Sequence, residues 1–309
     1  MKFVTYNIRY TLGMDGVYDC ARIADEVRGA DIIALQEVER NWRRSGMEDQ
    51  PAQLAGFLPD YHWSYFPAFD MDASSVGTDG SVENRRRQFG VMLLSKNRIL
   101  EVRRHLLPKI ATACSLGMET GALECILDTP DGPLQVYSLH LSSASRREKL
   151  LQVQYLISLH QGARARGGSW TGSAPKHDLI ELANFHAMDW SQGEHEPKAP
   201  NSTIMLGDFN LVPDSPEYTA LTGEPDIATG HNLHWDSLAD SWVVAKNRSD
   251  GDGFTWWPDP PDRAPAQPLR LDYCLITPDL VHSVERAWVD CSATGSDHRP
   301  YWVDLRIEC

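Results

Sequence analysis

The sequence contains no apolar run that approaches the roughly 18 residues of a membrane-spanning helix. Its six cysteines are scattered without CxxC spacing, so the pattern predicts neither a structural zinc site nor a disulfide framework. The first predicted strand begins at Lys2, and we expect no signal peptide in front of it. Together these features predict a cytoplasmic protein with reduced thiols.

Basic residues are also scarce, with 29 Lys and Arg against 43 Asp and Glu and a net charge of −14. Nucleic-acid binding depends on neutralising phosphates with basic side chains, so this balance disfavours a long nucleic-acid partner, although a local basic patch could act against it. The content of 42% hydrophobic and 23% charged residues is typical of a globular protein. Composition leaves the oligomeric state open.

Strands and helices alternate at the start of the chain, which is the pattern of α/β proteins. The hydrophobic periodicity predicts a strand at Lys2–Ile8, a helix at Tyr18–Arg28 and a strand at Asp31–Glu37. Loops and a short helix are predicted between Glu37 and Gly90. The other predicted elements are a helix from the capping-box pattern Ser145-Arg146-Arg147-Glu148 to about Gln161, and strands at Gly90–Ser95, Ala122–Asp128, Pro133–Leu141, Thr203–Phe209, Leu269–Thr277 and Tyr301–Ile307, the last as a half-buried edge.

Two stretches depart from this alternation, an insertion at about residues 162–201 and a Trp- and Pro-rich loop at about residues 254–268. The insertion carries a predicted helix at Asp178–Trp190 and three irregularly spaced histidines, which favours surface histidines over an extra metal site; they are His177, His186 and His195. In the loop, Trp256 and Trp257 either pack against the body of the protein or stack on a ligand, and packing is the commoner case.

Six short segments, spread from residue 7 to residue 298, end in a carboxylate, an amide or an imidazole where a predicted strand runs into a loop. The side chains are Asn7, Glu37, His140, Asp208 with Asn210, Asp272, and Asp297 with His298. Hard oxygen ligands and imidazoles delivered by strand ends are what a magnesium-assisted attack on a phosphate ester requires. Because these segments would have to converge, we expect a single domain over residues 1–309.

The motif Gly207-Asp208-Phe209-Asn210 ends a predicted strand. Since residues i and i+2 of a strand share a face, Asp208 and Asn210 should point together while Phe209 turns into the core. A carboxylate beside an amide could hold a phosphate and its attacking water. The alternative is an Asx turn that closes the strand, with Asn210 capping the loop, and the motif alone does not decide between them.

Glu37 ends an apolar run and is predicted to share the inward face of Ile33 and Leu35. A carboxylate on such a face is costly unless it is paired or bound to a metal, so we favour a metal ligand with Asn7 beside it. The alternative is that the strand has already emerged into solvent at Gln36.

Asp297 and His298 are adjacent, and adjacent residues of a regular strand face opposite ways, so both can point inward only from a loop. Asp272 precedes an apolar run and is suited to hydrogen-bond an imidazole, which would fix the tautomer and raise the basicity of a general base. The alternative for His298, and for His140 at the exit of its strand, is a satisfied surface or core histidine.

In this order, the motifs resemble those of the endonuclease/exonuclease/phosphatase superfamily, the deoxyribonuclease I-like fold, over nearly the whole chain. The resemblance implies an α/β fold, namely a four-layer α/β/β/α sandwich of two packed mixed sheets flanked by helices. It implies Mg²⁺ or Mn²⁺ as the cofactor. The implied metal ligands are Asn7, Glu37 and Asp297, and the implied catalytic residues are His140, Asp208, Asn210, Asp272 and His298.

By the same resemblance, Asp208 and Asn210 would orient and activate water and hold the scissile phosphate. His298, paired with Asp272, would act as a base or a phosphate ligand, and His140 would stabilise the transition state or assist the leaving group. The number of metal ions and the identity of the general base stay open.

The predicted function is therefore a divalent-metal-dependent phosphoester hydrolase, and specifically a phosphodiesterase that acts on a small or lipid-derived substrate. A nuclease acting on DNA or RNA is the alternative within the same chemistry, and the acidic charge disfavours it. A catalytically silent binding protein ranks lower because no member of the site set is missing. The sequence does not decide between monoester and diester.

Overall fold

The computed structural model describes residues 1–114, 116–171, 200, 202–226, 228, 230–231, 233–247, 253–259 and 267–307. The predicted helix Asp178–Trp190 lies outside these ranges, as do the three histidines of the insertion and the middle of the Trp- and Pro-rich loop. Within the described ranges, each helix is too short or too polar to cross a membrane.

The strands, in chain order, are β1 Lys2–Asn7, β2 Ile32–Arg40, β3 His62–Asp72, β4 Ser75–Val76, β5 Val82–Glu83, β6 Arg86–Ser95, β7 Ile99–Leu106, β8 Gly121–Thr129, β9 Gly132–His140, β10 Thr203–Asp208, β11 Pro225–Asp226, β12 Gly230–His231, β13 Ala239–Asp240, β14 Asp272–Ile276, β15 Val284–Val289 and β16 Tyr301–Leu305. The helices are α1 Cys20–Val27, α2 Gln50–Phe57, α3 Arg146–Arg166 and the short Pro216–Thr222 and Ser241–Val244, with 3-10 turns at Arg9–Thr11 and Pro278–Ser283.

Two six-stranded mixed sheets form the body of the molecule, in the orders β15-β16-β1-β2-β6-β3 and β13-β14-β10-β9-β8-β7. In the first sheet β1 runs parallel to β2 and antiparallel to β16. In the second sheet β10 runs parallel to β9 and antiparallel to β14. Each sheet therefore has a parallel pair near its centre, where strand ends from different parts of the chain come together.

Strand alternation divides the buried residues into three hydrophobic clusters, which lie between the layers of the fold. The inner faces of the two sheets pack on each other in one buried cluster, which includes Phe3 and Ala34 of the first sheet and Leu206 of the second. The outer face of the first sheet packs on α1 and α2, and the outer face of the second packs on α3 and the helix Pro216–Thr222. This arrangement is the predicted four-layer α/β/β/α sandwich, and the fold prediction is confirmed.

Two predictions about strands are wrong. The interval between Glu37 and Gly90 contains the predicted short helix, α2, but it also contains the long strand β3, whose alternation is broken by a bulge between Phe66 and Phe69. The last strand, β16, is not an edge, because β15 pairs beyond it. The largely exposed β15 lacks an alternating apolar pattern that would have predicted it.

The helix α3 begins at the predicted capping box and continues past Gln161 to Arg166. Ser145 Oγ accepts a hydrogen bond from the Glu148 backbone N–H, as in a capping box. The Glu148 carboxylate does not return to Ser145. It accepts from the backbone N–H of Ile110 over 2.6 Å, which ties the loop after β7 to the start of the helix.

Candidate active site

Three of the predicted catalytic residues lie side by side on neighbouring strands of the second sheet. Asp208, the last residue of β10, is in register with His140 on parallel β9 and with Asp272 on antiparallel β14. Ile204 and Leu206 precede Asp208 on the face that packs between the sheets. Because side chains alternate along a strand, this pattern places all three polar residues at the end of the inter-sheet core.

Asn7 reaches the same point from the first sheet, where it ends β1 and is buried. Its Nδ2 atom donates to Asp208 Oδ2 over 2.9 Å and to Glu37 Oε1 over 3.1 Å. One amide thus joins a carboxylate from each sheet. The two halves of the predicted site are brought together by this contact.

Glu37 enters the site through an irregularity of β2. The pairing of β2 with β6 shifts at Glu37, which has a φ of 60°, and this bulge turns its side chain toward Asn7. The predicted face shared with Ile33 and Leu35 is therefore wrong, since those two residues pack on the helices. The alternative, an exit into solvent at Gln36, is also wrong, because Gln36 is fully buried.

His298 and Asp272 form a buried pair. His298 Nδ1 lies 2.8 Å from Asp272 Oδ2, and its Nε2 lies 3.8 Å from Asp208 Oδ2. Burial raises the pKa of Asp272 to about 6, against the opposing effect of His298. Burial by itself lowers the pKa of His298, but the carboxylates of Asp272, Asp208 and Asp297 outweigh it and raise the pKa to about 10. The Asp272 carboxylate therefore favours the protonated form of the imidazole and fixes which ring nitrogen faces Asp208.

Asn210 lies just beyond β10 with a φ of 50°, and its backbone N–H donates to Asp208 Oδ1 over 2.9 Å. This is the Asx turn, and Phe209 between the two residues is buried in the core. The same turn aims the Asn210 amide at His140, whose Nε2 lies 3.1 Å from Asn210 Nδ2 and 3.4 Å from Asp208 Oδ2. The two interpretations of the motif are therefore not exclusive.

Asp297 and His298 lie in the loop before β16. Trp256 is buried beside them, and its indole Nε1–H donates to Asp297 Oδ2 over 3.2 Å. It also forms isolated β-bridges with Leu269 and His298. Trp256 thus packs its loop against the body, the commoner of the two predicted roles, and it also holds the Asp297 carboxylate. No pattern in the sequence indicates that hydrogen bond.

The site opens into a cavity of about 740 Å³. The predicted residues that line it are Glu37, His140, Asp208, Asn210, Asp297 and His298, whereas Asn7 and Asp272 support them from behind. Three cationic side chains that were not among the predicted site residues also line the cavity; they are Arg9, Arg146 and Lys149. The wall therefore combines carboxylates with cations that could face a phosphate.

Lys149 donates to the backbone carbonyl of Asn210 and so supports the turn that follows β10. Burial lowers the pKa of Lys149, and Glu217 and Asp208 partly offset this effect. Arg146 Nε lies 3.1 Å from Glu217 Oε1. Arg146 and Lys149 both belong to the first turn of α3, the helix that follows the His140 strand. Because the start of a helix that follows a strand lies near the end of that strand, this position in the sequence could have indicated that the two cations lie at the site.

The donor set fits a hard divalent cation. Glu37, Asp208 and Asp297 place three carboxylates on the cavity wall. The neutral Asn7 amide joins the first two, and Arg9 Nε lies 3.9 Å from Asp297 Oδ1, so Glu37 and Asp208 have no cation paired with them among these contacts. A second group, Asp208, Asp272 and His298, has ligand atoms within 4.8 Å of one another. Its Asp272 is fully buried and bonded to His298. The ligand atoms of Glu37, Asp208 and Asp297 are more widely spaced, so an ion held at the cavity wall would keep water molecules among its ligands.

Comparisons with known proteins agree with this geometry. The model of the endonuclease/exonuclease/phosphatase family matches residues 4–298, and no curated protein matches the sequence. Among solved structures, an endonuclease/exonuclease/phosphatase from Beutenbergia cavernae DSM 12333 is 22% identical with a TM-score of 0.62, covering 100% of this chain and 72% of that one.

Two further similar structures are those of named proteins. Humanized D. rerio TDP2 is 15% identical with a TM-score of 0.57, covering 99% of this chain and 98% of that one. The mannosyl-6-phosphatase of Bacteroides thetaiotaomicron VPI-5482 is 16% identical with a TM-score of 0.57, covering 99% of each chain. At these identities the structures establish the fold alone, whereas the family model spans nearly the whole sequence. The chain therefore belongs to the endonuclease/exonuclease/phosphatase family, whose members are divalent-metal-dependent phosphoester hydrolases.

Proposed function

We propose that the protein is a phosphodiesterase that hydrolyses a small or lipid-derived phosphodiester by attack of an activated water on phosphorus. The observation that carries the proposal is the environment of Asp208 Oδ2. Asn7 Nδ2, His140 Nε2 and His298 Nε2 lie 2.9, 3.4 and 3.8 Å from this oxygen. A carboxylate with an amide and two imidazoles around it can hold a water and also present hydrogen-bond donors to a phosphate.

The cation would be Mg²⁺ or Mn²⁺, held by Asn7, Glu37 and Asp297. It would supply Lewis-acid polarisation of the phosphoryl oxygen and would offset charge that develops in the transition state. The carboxylate-rich wall suits these two ions, which prefer oxygen ligands.

Asp208 and Asn210 would orient the attacking water, because the Asx turn fixes both side chains beside the cavity. His140 and His298 would contact the non-bridging phosphate oxygens or the leaving group from the two sides of Asp208. Asp272 would act through His298 by holding the ring in one orientation. Donors fixed in advance by such contacts are most effective where charge develops in the transition state.

The size of the cavity favours a diester of a small molecule. A volume of about 740 Å³ leaves room for groups on both sides of a phosphate, and it lies in the usual range for small-molecule sites, roughly 300–1,000 Å³. The net charge of −14 opposes a long polyanion. The names TDP2 and mannosyl-6-phosphatase belong to proteins with different substrates, so they support the reaction class and leave the substrate to experiment. The five free cysteines among the described residues suit the cytoplasmic location that we propose.

The test is hydrolysis of bis(p-nitrophenyl) phosphate with Mg²⁺ or Mn²⁺. We expect EDTA to abolish turnover, and we expect the same of Asp208→Ala and of His298→Ala. The control variants Asp60→Ala and His62→Ala, which change exposed residues, should retain turnover. Folded, metal-binding protein that turns over no phosphoester would overturn the proposal. Degradation of plasmid DNA or RNA at a rate comparable with the small diester would replace it with a nuclease.

A further inference from the structure

Thr255 lies beside Trp256 in the Trp- and Pro-rich loop and is fully buried. Its Oγ1 atom accepts hydrogen bonds from the backbone N–H groups of Leu271 over 3.0 Å and of Asp272 over 3.1 Å. Asp272 is the first residue of β14. One hydroxyl oxygen therefore fixes the backbone from which the Asp272 side chain projects, and no step of the proposed mechanism uses this contact.

The backbone of Thr255 also reaches the loop that carries His298. Its carbonyl accepts the backbone N–H of Arg299, the residue after His298, over 2.7 Å. The neighbouring Trp256 forms an isolated β-bridge with His298. Thr255 therefore contacts both of the chain segments that bring His298 Nδ1 to a distance of 2.8 Å from Asp272 Oδ2.

The hydroxyl hydrogen of Thr255 needs an acceptor. A threonine hydroxyl group has one hydrogen to donate and two lone pairs, and here the two backbone N–H groups occupy the lone pairs. Asp272 uses its Oδ2 atom for His298, whereas its buried Oδ1 atom has no hydrogen-bond partner within the described parts of the chain. Burial raises the pKa of Asp272 to about 6, and His298 and a hydrogen bond with the Thr255 hydroxyl group act in the opposite direction. The donor and the buried acceptor therefore complement each other.

We propose that Thr255 donates its hydroxyl hydrogen to Asp272 Oδ1 and is a positioning residue for the reaction, acting through Asp272 on His298. The inference rests on the proposed phosphodiesterase function, because it concerns the orientation of His298 in that reaction. A carboxylate that is held at both oxygens cannot turn about its Cβ–Cγ bond, so it presents Oδ2 to the imidazole in a single direction. The imidazole in turn keeps its Nε2 atom directed at Asp208.

The experiment compares turnover of bis(p-nitrophenyl) phosphate by Thr255→Val, which retains the branched shape without the hydroxyl group, and by Thr255→Ser, which retains the hydroxyl group. We expect the valine variant to lower kcat about tenfold, since tenfold corresponds to one hydrogen bond to a charged group. KM should change by less than about twofold, and the serine variant should retain most of kcat. Thr203→Val is the matched control and should retain kcat, because it removes a buried hydroxyl group that donates to Gln135 Oε1 over 2.7 Å at the opposite end of β10 from Asp208.

A double-mutant cycle separates positioning from a general structural role. If the hydroxyl group acts through the Asp272 carboxylate, Thr255→Val should lower kcat by less than about twofold when it is added to Asp272→Asn. Equal tenfold losses in the wild-type and Asp272→Asn backgrounds would overturn the proposal. An unchanged kcat in Thr255→Val alone would overturn it as well.

A measurement on the wild-type protein keeps the test independent of folding and turnover. The valine variant leaves two buried backbone N–H groups without their acceptor, which costs stability. Neutron crystallography of deuterium-exchanged wild type locates the hydroxyl hydrogen directly, and we expect it to point at Asp272 Oδ1. A hydrogen directed at any other acceptor would overturn the proposal. If no diester is turned over, the phosphodiesterase proposal fails, and the position of this hydrogen still decides whether Thr255 holds Asp272.

Discussion

Trp256 donates its indole N–H to the carboxylate of Asp297, and the two residues lie 41 positions apart in the sequence. Through this contact, the buried Trp256 ring of a neighbouring loop holds Asp297, which is a predicted metal ligand. Partners of this kind set the orientation of the ligand, and their loss commonly costs about 10–100-fold in metal affinity.

We therefore expect Trp256→Phe to raise the concentration of Mg²⁺ or Mn²⁺ needed for half-maximal activity by about tenfold, with a smaller change in kcat at saturating metal. Activity titrated against metal measures this change, and calorimetry of metal binding checks it. Trp257→Phe is the matched control, since Trp257 contacts Asp297 through its backbone N–H. Identical metal titrations for the two variants would show that the indole N–H has no role in metal binding.

The second prediction concerns Asp272. The variant Asp272→Asn retains the shape of the side chain but removes the charge that faces His298, so the imidazole loses its orientation and its electrostatic support. We expect kcat to fall by about 10²–10⁴-fold while circular dichroism stays native. Asp60→Asn, at an exposed site, should behave as wild type. A fall of less than about threefold would mean that His298 does not need its carboxylate partner.

Asn210 allows backbone strain to be separated from chemistry, because it has a φ of 50° and also carries a side-chain amide in the site. Asn210→Ala and Asn210→Gly both remove the amide, so both should lose activity to a similar extent. Glycine tolerates the left-handed conformation, so Asn210→Gly should be more stable than Asn210→Ala by about 1 kcal/mol. Urea denaturation measures the difference, and equal stability of the two variants would argue against a strained turn.

The fourth prediction concerns acid stability. Burial alone would raise the pKa of Glu124, but the hydrogen bond from His105, the charge of Arg166 and the hydrogen bond from Gln135 lower it from 4.5 to about 2. A carboxyl group whose folded pKa is depressed stabilises the protein above its unfolded pKa. That stability is lost as the pH falls from 4.5 toward 2.

Glu124→Gln should lower the free energy of unfolding near neutral pH by about 3 kcal/mol and should flatten its decline below pH 4.5. Unfolding in urea at a series of pH values measures both effects. Glu285→Gln is the control, because Glu285 is exposed and lies 3.9 Å from Arg306. An unchanged acid profile in Glu124→Gln would assign the acid sensitivity to other carboxylates.

Regular alternation explains what the sequence could predict. Asp208 lies two positions after Leu206, and His140 lies two positions after Ser138. Both preceding residues are buried, so the alternation of a strand predicts that Asp208 and His140 lie on the same inner faces. Asn7 follows the same rule on β1. Once these strand ends are recognised, their convergence follows from the parallel pairs at the sheet centres.

Prediction from the sequence failed where the local backbone geometry departs from the two-residue alternation of a regular strand. Glu37 reaches the site through a β-bulge in β2. The sequence gives no sign of this bulge, because the residue with a φ of 60° is a glutamate and not a glycine. A bulge in β3 likewise masked a whole strand.

The Asn7 amide spans the seam between the two sheets, and the catalytic chemistry depends on that seam staying closed. Mild denaturants that let the halves of the sandwich slide apart would separate Glu37 of the first sheet from Asp208 of the second. The enzyme would then lose activity while its strands were still intact. Inactivation ahead of global unfolding would follow from the placement of a single side chain.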